Sequence, residues 1–346
     1  MNKPATIYDI AKHVNASPAT VSRVLSNSKY PVRPALAEKI REAARELNYT
    51  PNSIGRQLKT NKTSTIGVII PSITNPFYAA VVSGIEETAS EQGYQVLLCN
   101  SQNNPELELQ HLKNLQENQV KGVIISSIID KNDGLKQYLS HGFKVVTIDQ
   151  NHPDTDTCQI NFDYAKGGHV IASHLLEQGH RDIAFLSAPL DRPSRQLIYQ
   201  GYKEALHARG VDIDQARVLI SSTSEESGKP ITEFQQGKQL TRRLLQSKPW
   251  PTAIMASNDM LAFGVMNELV NKGIRVPEDI SVAGFDNLEF AEIVAPALTT
   301  VEQPKQEMGA IASRLLIDLL NDVDNAPGEI MLQPQLVERK SVHAVT

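Results

Sequence analysis

The fold of the N-terminal region is decided by residues 6–26, TIYDIAKHVNASPATVSRVLS. This stretch predicts two short helices separated by a tight turn. Thr6 is a good N-cap, and Asp9 three residues later completes a capping box. Ser17 can cap the second helix, with Pro18 at its first position, where a missing N–H costs nothing. The apolar residues of the first helix recur at helical spacing, and they are Ile7, Ile10, Ala11 and Val14.

A third helix is predicted over residues 34–47, whose apolar residues again share one face. Three short helices with a tight turn between the first two form the helix-turn-helix module that reads DNA. In that module the second helix enters the major groove. Hydroxyls there can contact phosphates, and an Arg can donate two hydrogen bonds to a guanine edge. The outer face of the predicted second helix carries Ala19, Thr20, Ser22 and Arg23.

The charge of the chain is unevenly distributed. Residues 1–62 hold 11 Lys and Arg against four Asp and Glu, a net of +7, whereas the remainder holds 23 against 35, a net of −12. A basic region on an acidic body is typical of a protein that meets a polyanion. A merely solvated basic face would give the same excess, but the helix-turn-helix order of the residues favours DNA.

Further stretches in the same order make the resemblance to a family specific. After residues 6–26 come IREAARELNYTPN, GRQL, GVIIPSITNPFY, LLEQGHRDIAFLSAPL, PTAIMASNDMLAFGVM, VPEDISVAGFDN and LTTVEQP. This series resembles the lactose-repressor (LacI/GalR) family of bacterial transcription regulators over essentially the whole chain. The resemblance implies a homodimer that binds double-stranded, pseudo-palindromic operator DNA. The residues expected to contact DNA are Thr6, Tyr8, Ser17, Pro18, Ala19, Thr20, Ser22, Arg23, Asn27, Tyr49, Asn52, Ile54, Gly55, Leu58 and Lys59.

The segment 52–59, NSIGRQLK, has too little apolar surface to stay helical alone. The resemblance implies a hinge helix that orders on DNA and inserts Leu58 into the minor groove, which would kink the duplex. Most relatives have Ala where this chain has Gly55, and Gly costs about 1 kcal/mol against Ala inside a helix. An ordinary flexible tether is the alternative.

From Thr63 onward, Val- and Ile-rich runs alternate with helical stretches, which is typical of parallel strands buried on both faces. Two such series predict two doubly wound lobes, and the arrangement resembles periplasmic sugar-binding proteins. The predicted strands are 65–70, 95–100, 122–127, 144–149, 182–188, 217–221, 253–257 and 280–285. The predicted domains are a helix-turn-helix over 1–51, a hinge over 52–62, a first lobe over 63–161 plus 292–322, and a second lobe over 162–291 plus 323–346.

A ligand of such a fold binds between the lobes, at the carboxyl ends of the strands. Carboxylates, amides and an aromatic ring at those positions suit the hydroxyls and C–H faces of a sugar. Position and resemblance together give the predicted effector residues Asn75, Phe77, Ser126, Asp149, Arg192, Ser194, Arg195, Asn258 and Asp286. Asp and Asn at strand ends also cap helices, so Asn258 could instead serve only as a cap.

One departure from the family pattern bears on the effector. Several sugar- and purine-responsive members carry an Arg three residues before the pair that corresponds to Gly201-Tyr202, whereas this chain has Ile198. The anchor for a sugar ring or a carboxylate is therefore missing unless Arg192 or Arg195 replaces it.

Other function classes find little support in the sequence. There is no G-x-G-x-x-G after a strand, no Walker A motif and no G-x-S-x-G motif, so we expect no enzyme and no cofactor. His169, His174 and His180 are spaced by 5 and 6, which puts them on different helical faces rather than on one metal. Cys99 and Cys158 are the two cysteines, and Cys99 is expected to be a small buried hydrophobe.

We expect a cytoplasmic regulator with no membrane contact. No apolar run approaches the roughly 18–20 residues that cross a bilayer, and MNKPATIYDI lacks the apolar core of an export signal. An exported sugar-binding protein is therefore disfavoured. The function we expect is repression of genes for carbohydrate uptake or catabolism under a small, sugar-like effector. A catabolite-control type of regulator that responds to a protein co-effector stays open.

Overall fold

The computed structural model describes residues 5–26, 30–49, 64–128, 142–149, 157–214, 217–222, 231–323 and 328–345. The chain forms two compact units, Met1–Thr63 and Ser64–Thr346. Each unit has its own hydrophobic core. The predicted hinge lies outside the described residues, as does Asn27.

The first unit contains the three predicted helices, α1 (Ile7–His13), α2 (Pro18–Leu25) and α3 (Pro34–Glu46). The predicted capping box is present, since the Thr6 N–H donates to Asp9 Oδ2 at 2.8 Å and the Asp9 N–H donates to Thr6 Oγ1 at 3.4 Å. The core of the unit is formed by apolar residues from all three helices, among them the fully buried Ile10, Val21 and Ile40. We call this helix-turn-helix unit the head.

The second unit alternates strands and helices, as predicted. Its strands are β1 (Thr65–Ile70), β2 (Gln95–Asn100), β3 (Gly122–Ile125), β4 (Lys144–Ile148), β5 (Cys158–Phe162), β6 (Ile183–Ser187), β7 (Val218–Ile220), β8 (Ala253–Ala256), β9 (Ser281–Ala283), β10 (Thr300–Glu302), β11 (Glu329–Leu332) and β12 (Gln335–Val337). Its helices are α4 (Pro76–Glu91), α5 (Pro105–Glu117), α6 (Tyr164–Glu177), α7 (Pro193–Ala208), α8 (Glu233–Leu244), α9 (Asp259–Asn271), α10 (Phe290–Ile293) and α11 (Lys305–Leu320).

The strands form two parallel sheets, one in each lobe. The first has the order β11-β5-β4-β3-β1-β2 and the second the order β7-β6-β8-β9, while β10 and β12 pair antiparallel in a small third sheet. Strands β3, β4, β6 and β8 are almost entirely buried, as expected for strands covered on both faces. Within the described residues, no helix is both long and apolar enough to span a bilayer.

Strand β2 differs from the expectation of burial on both faces. It is an edge strand, with Leu97 43% and Leu98 37% exposed. Cys99 on the same strand is only half-buried, so the expectation that it is a buried hydrophobe is wrong. An edge strand lacks a neighbour on one side, which leaves these side chains open to solvent.

The C-terminal segment departs from the predicted boundary, which gave residues 323–346 to the second lobe, at β11, which joins the sheet of the first lobe. Residues 341–345 lie against the second lobe as predicted, with the Val282 N–H donating to the Ser341 carbonyl at 2.8 Å and the Val345 N–H to the Gln178 carbonyl at 2.8 Å. Strand β11 pairs with β5 in parallel, with Glu329 opposite Gln159. The Asn161 amide donates to Glu329 Oε1 at 2.6 Å across this pair. The edge of β5 is thus paired with a strand from the C-terminal segment. Helix α11 packs on α4 and β4, in the first lobe as predicted.

Candidate DNA-binding face and effector cleft

Helix α2 presents a short polar face. Ser17 Oγ accepts a hydrogen bond from the Thr20 N–H at 3.1 Å and lies 2.8 Å from Thr20 Oγ1, so both hydroxyls help to cap the helix. Arg23, in the last turn, is exposed and stacks on Tyr30, with its guanidinium carbon 4.2 Å from the ring centroid. The longest donor on this face is therefore Arg23.

The other predicted DNA contacts of the head differ in exposure. Tyr8 is 70% exposed on α1. Thr6 is half-buried and held in the capping box, while Tyr49 is half-buried against the core of the head. Six further predicted contacts lie outside the described residues, namely Asn27, Asn52, Ile54, Gly55, Leu58 and Lys59.

A cleft between the two lobes brings together eight of the nine predicted effector residues. Its volume is about 50 Å³. It is lined by Asn75, Phe77, Tyr78, Asp149, Tyr164, Arg192, Ser194, Arg195, Ile198, Glu233, Ser257, Asn258, Asp286 and Gln303. Ser126, the ninth predicted residue, lies behind this lining, where its hydroxyl donates to Asp149 Oδ2 at 3.2 Å. We call this set the effector cleft.

Asp149, at the end of β4, is surrounded by hydroxyl donors. Besides Ser126, Tyr78 donates to its Oδ2 at 2.9 Å and Tyr164 donates to its Oδ1. Burial, then the Asp149 carboxylate, holds the pKa of the Tyr78 hydroxyl well above its usual range, so the phenol stays protonated. Asp149 therefore organises the wall of the first lobe, and a ligand would have to displace one of these hydroxyls to reach it.

Asp286 lies on the opposite wall, just after β9. Its Oδ1 accepts from Gln303 Nε2 at 2.7 Å, and Gln303 Oε1 lies 3.3 Å from the Tyr164 hydroxyl, whose single proton is shared between Gln303 and Asp149. A chain of hydrogen bonds thus joins Asp286 to Asp149 across the cleft. Burial, followed by the neighbouring Asp259, raises the pKa of Asp286 well above its usual range. Both Asp149 and Asp286 have positive φ, 66° and 119°, a strain that folded proteins concentrate at functional sites.

Asn258 and Asp259 follow β8, and only the first of them lines the cleft. Asn258 Oδ1 accepts from the Leu261 N–H at 2.8 Å, which makes Asn258 the N-cap of α9 while it also lines the cleft. Asp259 is fully buried behind it and accepts from Thr300 Oγ1 at 2.6 Å and from the Leu288 N–H at 2.8 Å. Asp259 therefore fastens the loop after β9 and strand β10 to α9.

Hydrogen bonds also join the two lobes across the cleft, at Glu233 and at Arg192. Asn75 Nδ2, in the first lobe, donates to Glu233 Oε2 at 3.0 Å, and Arg195 Nη2 donates to Glu233 Oε1 at 2.9 Å. Arg192 donates from the second lobe to the Tyr78 hydroxyl at 2.8 Å and to Asn103. The two arginines that could replace the missing family Arg are therefore engaged by the protein itself.

Several cleft residues were not found from the sequence. Tyr78 follows the predicted Phe77, so an aromatic pair after the first strand was the available signal. Tyr164, Glu233 and Gln303 lie at the starts of helices or after a short strand, and no local pattern marks them. Ser257 directly precedes the predicted Asn258 and has a buried hydroxyl without a partner among the described residues.

A helix-turn-helix head and a two-lobed α/β body with a polar cleft define the class of DNA-binding regulators with a periplasmic-binding-protein-like domain. Comparisons agree with this class. The profile of the bacterial regulatory proteins, lacI family, matches residues 6–52, and that of a periplasmic binding protein-like domain matches residues 172–342. The PurR transcriptional repressor of Vibrio atlanticus is 34% identical over 98% of this chain and 98% of its own length. The chain belongs to the lacI family of bacterial regulatory proteins.

Solved structures agree with this assignment over the fold. The Lac repressor dimer bound to operator and the anti-inducer ONPF has a TM-score of 0.86 at 28% identity, covering 99% of this chain and 100% of that chain. A LacI family regulator from Enterococcus faecium with bound ribose has a TM-score of 0.72 at 29% identity, covering 82% of this chain and 100% of that chain. The protein is thus a DNA-binding transcriptional regulator.

Proposed function

We propose that this regulator is a repressor of genes for carbohydrate uptake or catabolism, whose operator binding is controlled by a sugar-like effector. The observation that carries the proposal is the effector cleft, where eight residues chosen from the sequence line one space. Relatives named as transcriptional repressors support the repressor role, and a family structure with bound ribose supports a sugar effector.

The chemistry of the second-lobe wall supports a hydroxylated ligand. Within the described residues, the Ser257 hydroxyl has no partner, and neither Asn258 Nδ2 nor Asp286 Oδ2 makes a hydrogen bond. These atoms offer donors and acceptors side by side, which suits hydroxyl groups that both donate and accept. The buried ring of Phe77 can pack against C–H faces.

The wall formed by Ile198 favours a neutral effector over an anionic one. The family Arg expected at this position is absent, so Ile198 offers no charge to a carboxylate or phosphate. Arg195 is already paired with Glu233 at 2.9 Å and with Asp191 at 3.1 Å, and its charge is compensated. The Arg192 guanidinium is already engaged as well, since it donates to the Tyr78 hydroxyl and to Asn103. We therefore assign a neutral carbohydrate, rather than an acidic ligand, as the class of effector.

The DNA-binding unit is proposed to be a homodimer on a pseudo-palindromic operator, because one short helix offers too few base contacts for specific affinity. Apolar side chains exposed on β2 and α10 are available for a second copy, among them Leu98, Phe290 and Ile293. Arg23 reads a base, while Tyr8, Thr20 and Ser22 contact phosphates. The segment 52–59 keeps its proposed role as a hinge helix with Leu58 as the wedge. Sedimentation of a stable monomer with undiminished operator binding would contradict the dimer.

A thermal-shift screen of the full chain tests the effector class. The panel contains neutral pentoses, hexoses and disaccharides, with purine bases and sugar phosphates as contrasting classes. We expect a neutral sugar to raise the melting temperature and to change binding of a duplex selected from a random library. Asp286→Ala should lose both responses, whereas Asp279→Ala, an ion-paired carboxylate remote from the cleft lining, should keep them.

The outcomes separate the alternatives. A purine base or sugar phosphate as the active compound would contradict a neutral sugar effector. A sugar response that survives in Asp286→Ala would remove Asp286 from the site. If no small molecule shifts the melting temperature, the alternative of a protein co-effector replaces the sugar. The sign of the response in the DNA titration separates induction from co-repression, and linkage requires DNA to change sugar affinity by the same factor.

A further inference from the structure

The stacked pair of Arg23 and Tyr30 is a feature of the head that the known architecture does not require. The guanidinium carbon of Arg23 lies 4.2 Å from the centroid of the Tyr30 ring. Tyr30 is 60% exposed, so it contributes little to the core. The ion pairs described in the head involve other cations, His13, Arg41 and Arg45. Among the described contacts, the one that fixes the Arg23 guanidinium is therefore the Tyr30 ring.

The position of the Tyr30 ring is itself restrained by the chain around it. Pro31 follows directly, and a residue before proline is confined to extended backbone conformations. Val32 then packs against the core of the head and fixes the other side of Pro31. The backbone at Tyr30 is thus restrained, which limits where the exposed ring can lie. Tyr30 can act as a platform for a flexible neighbour.

We infer that Tyr30 is a positioning residue for base readout, which holds the Arg23 guanidinium with one face covered and its N–H edge free. A guanidinium stacks on an aromatic face while its edge still makes paired hydrogen bonds, for example to guanine O6 and N7. Holding the side chain before DNA arrives reduces the conformational entropy lost on binding.

The composition of α2 makes this contribution important. Pro18 and Ala19, at its exposed N-terminal end, cannot reach a base edge with a hydrogen-bonding group. Thr20 is engaged with Ser17 in the cap. Sequence preference must therefore depend strongly on Arg23, and on whatever orients it. The inference rests on the proposed role of Arg23, so the experiment tests the two residues separately.

The experiment is in vitro selection from a randomised duplex library with the full chain, followed by competition binding on single-base variants of the selected duplex. Arg23→Ala should lower the preference at one base pair about 5- to 150-fold. Tyr30→Ala should lower the preference at the same base pair about two- to fivefold, the strength of an exposed cation–π contact. Tyr30→Phe keeps the ring and should keep the preference. Tyr8→Ala, an exposed tyrosine on α1, should weaken all sequences equally.

The variants distinguish a failure of the Tyr30 inference from a failure of the proposed base readout by Arg23. If Arg23→Ala shows a base-specific loss while Tyr30→Ala shows none, or weakens all duplexes alike, the positioning role is wrong and readout by Arg23 stands. If Tyr30→Ala changes the preference even in the Arg23→Ala background, Tyr30 contacts the base itself and the inference is overturned. If Arg23→Ala leaves every preference unchanged, the proposed readout fails and the inference fails with it. Far-UV circular dichroism establishes that each variant is folded.

Discussion

The head and the effector cleft both carry polar residues expected to bind a ligand, but they hold these residues differently. On the head, Arg23 and Tyr8 are exposed, and the capping hydrogen bonds join residues three apart. In the cleft, Asp149 and Asp286 are buried, and their hydrogen-bond network joins residues up to 139 positions apart. Polar groups of the head thus face solvent, whereas those of the cleft face one another.

Because of this difference, ligand binding in the effector cleft must break existing hydrogen bonds, whereas DNA binding by the head need not. DNA can reach the exposed face of α2 without breaking a hydrogen bond of the core. A ligand in the cleft must replace contacts such as Tyr78 to Asp149 or Asn75 to Glu233 with its own. Its affinity is then a difference between two sets of hydrogen bonds, each worth about 0.5–1.5 kcal/mol net. The cleft residues therefore hold the fold in addition to their proposed role in ligand binding, whereas the proposed DNA contacts of the head hold little of the fold.

The largest expected effect comes from removing the carboxylate that fastens the cleft from behind. Asp259→Ala leaves the Thr300 hydroxyl and the Leu288 N–H buried without an acceptor. Each unsatisfied buried donor costs about 1–3 kcal/mol, so the free energy of unfolding should fall by about 3 kcal/mol or more. Urea unfolding followed by Trp250 fluorescence measures this, because the single Trp lies in the second unit. A loss below about 1 kcal/mol would mean that water replaces the carboxylate, and the contrast with the head would weaken.

The second effect is a pH dependence that originates in Glu108 of α5, a fully buried carboxyl. It accepts from the Ser127 hydroxyl at 2.5 Å and from the Ile128 N–H at 3.0 Å. Burial raises the pKa of Glu108 from 4.5 to about 7. The folded state therefore binds more protons than the unfolded state between these values, and stability falls as the pH rises through the window.

The substitution Glu108→Gln should remove this loss of stability at higher pH. At about 1.4 kcal/mol per pKa unit, wild type should lose up to about 3 kcal/mol more than Glu108→Gln between pH 4.5 and 8. The matched control is Glu106→Gln, an exposed carboxylate on the same helix, which should keep the wild-type profile. Unfolding at several pH values with Trp250 fluorescence provides the comparison. Identical slopes for Glu108→Gln and wild type would show that Glu108 does not titrate in this window.

The third prediction separates the capping role of Asn258 from its proposed role in effector binding. Asn258→Ala removes the cap on α9 and should reduce stability by about 1–2 kcal/mol. Asn258→Ser keeps a good capping oxygen but lacks the amide donor, so it should restore most of the stability without restoring the sugar response. Thermal unfolding and the thermal-shift screen together give both readouts. Recovery of the sugar response in Asn258→Ser would make Asn258 a cap only.

The smallest effect is expected on the head, from Ser17→Ala. Loss of the exposed cap on the Thr20 N–H should cost about 0.5–1 kcal/mol. Because the head contains no Trp, hydrogen exchange of the α2 amides followed by mass spectrometry is the suitable measurement. Faster exchange confined to the head is expected, with the second unit unchanged. A loss as large as that of Asp259→Ala would remove the contrast between the two regions.

The sequence predicted the features that depend on neighbours along the chain. The caps at Thr6 and Ser17 and strand β1 at Thr65–Ile70 were all found, because each signal lies within a few residues. Strands β5 and β11 were missed, since they form by pairing of distant segments and are not Val- and Ile-rich runs. The tyrosine partners of Asp149 were missed for the same reason, because Tyr78 and Tyr164 meet it only in the folded chain.

The volume of the effector cleft, about 50 Å³, has a consequence for the rate at which a ligand binds. Ligand pockets commonly measure about 300 Å³ or more, so the proposed sugar effector would enter only while the lobes are apart. At high sugar concentration the observed association rate should stop rising and level off at the rate of lobe opening. The apparent dissociation constant should equal the intrinsic one divided by the open fraction. The rate of lobe opening, as well as the affinity, would then limit how quickly this regulator responds to its effector.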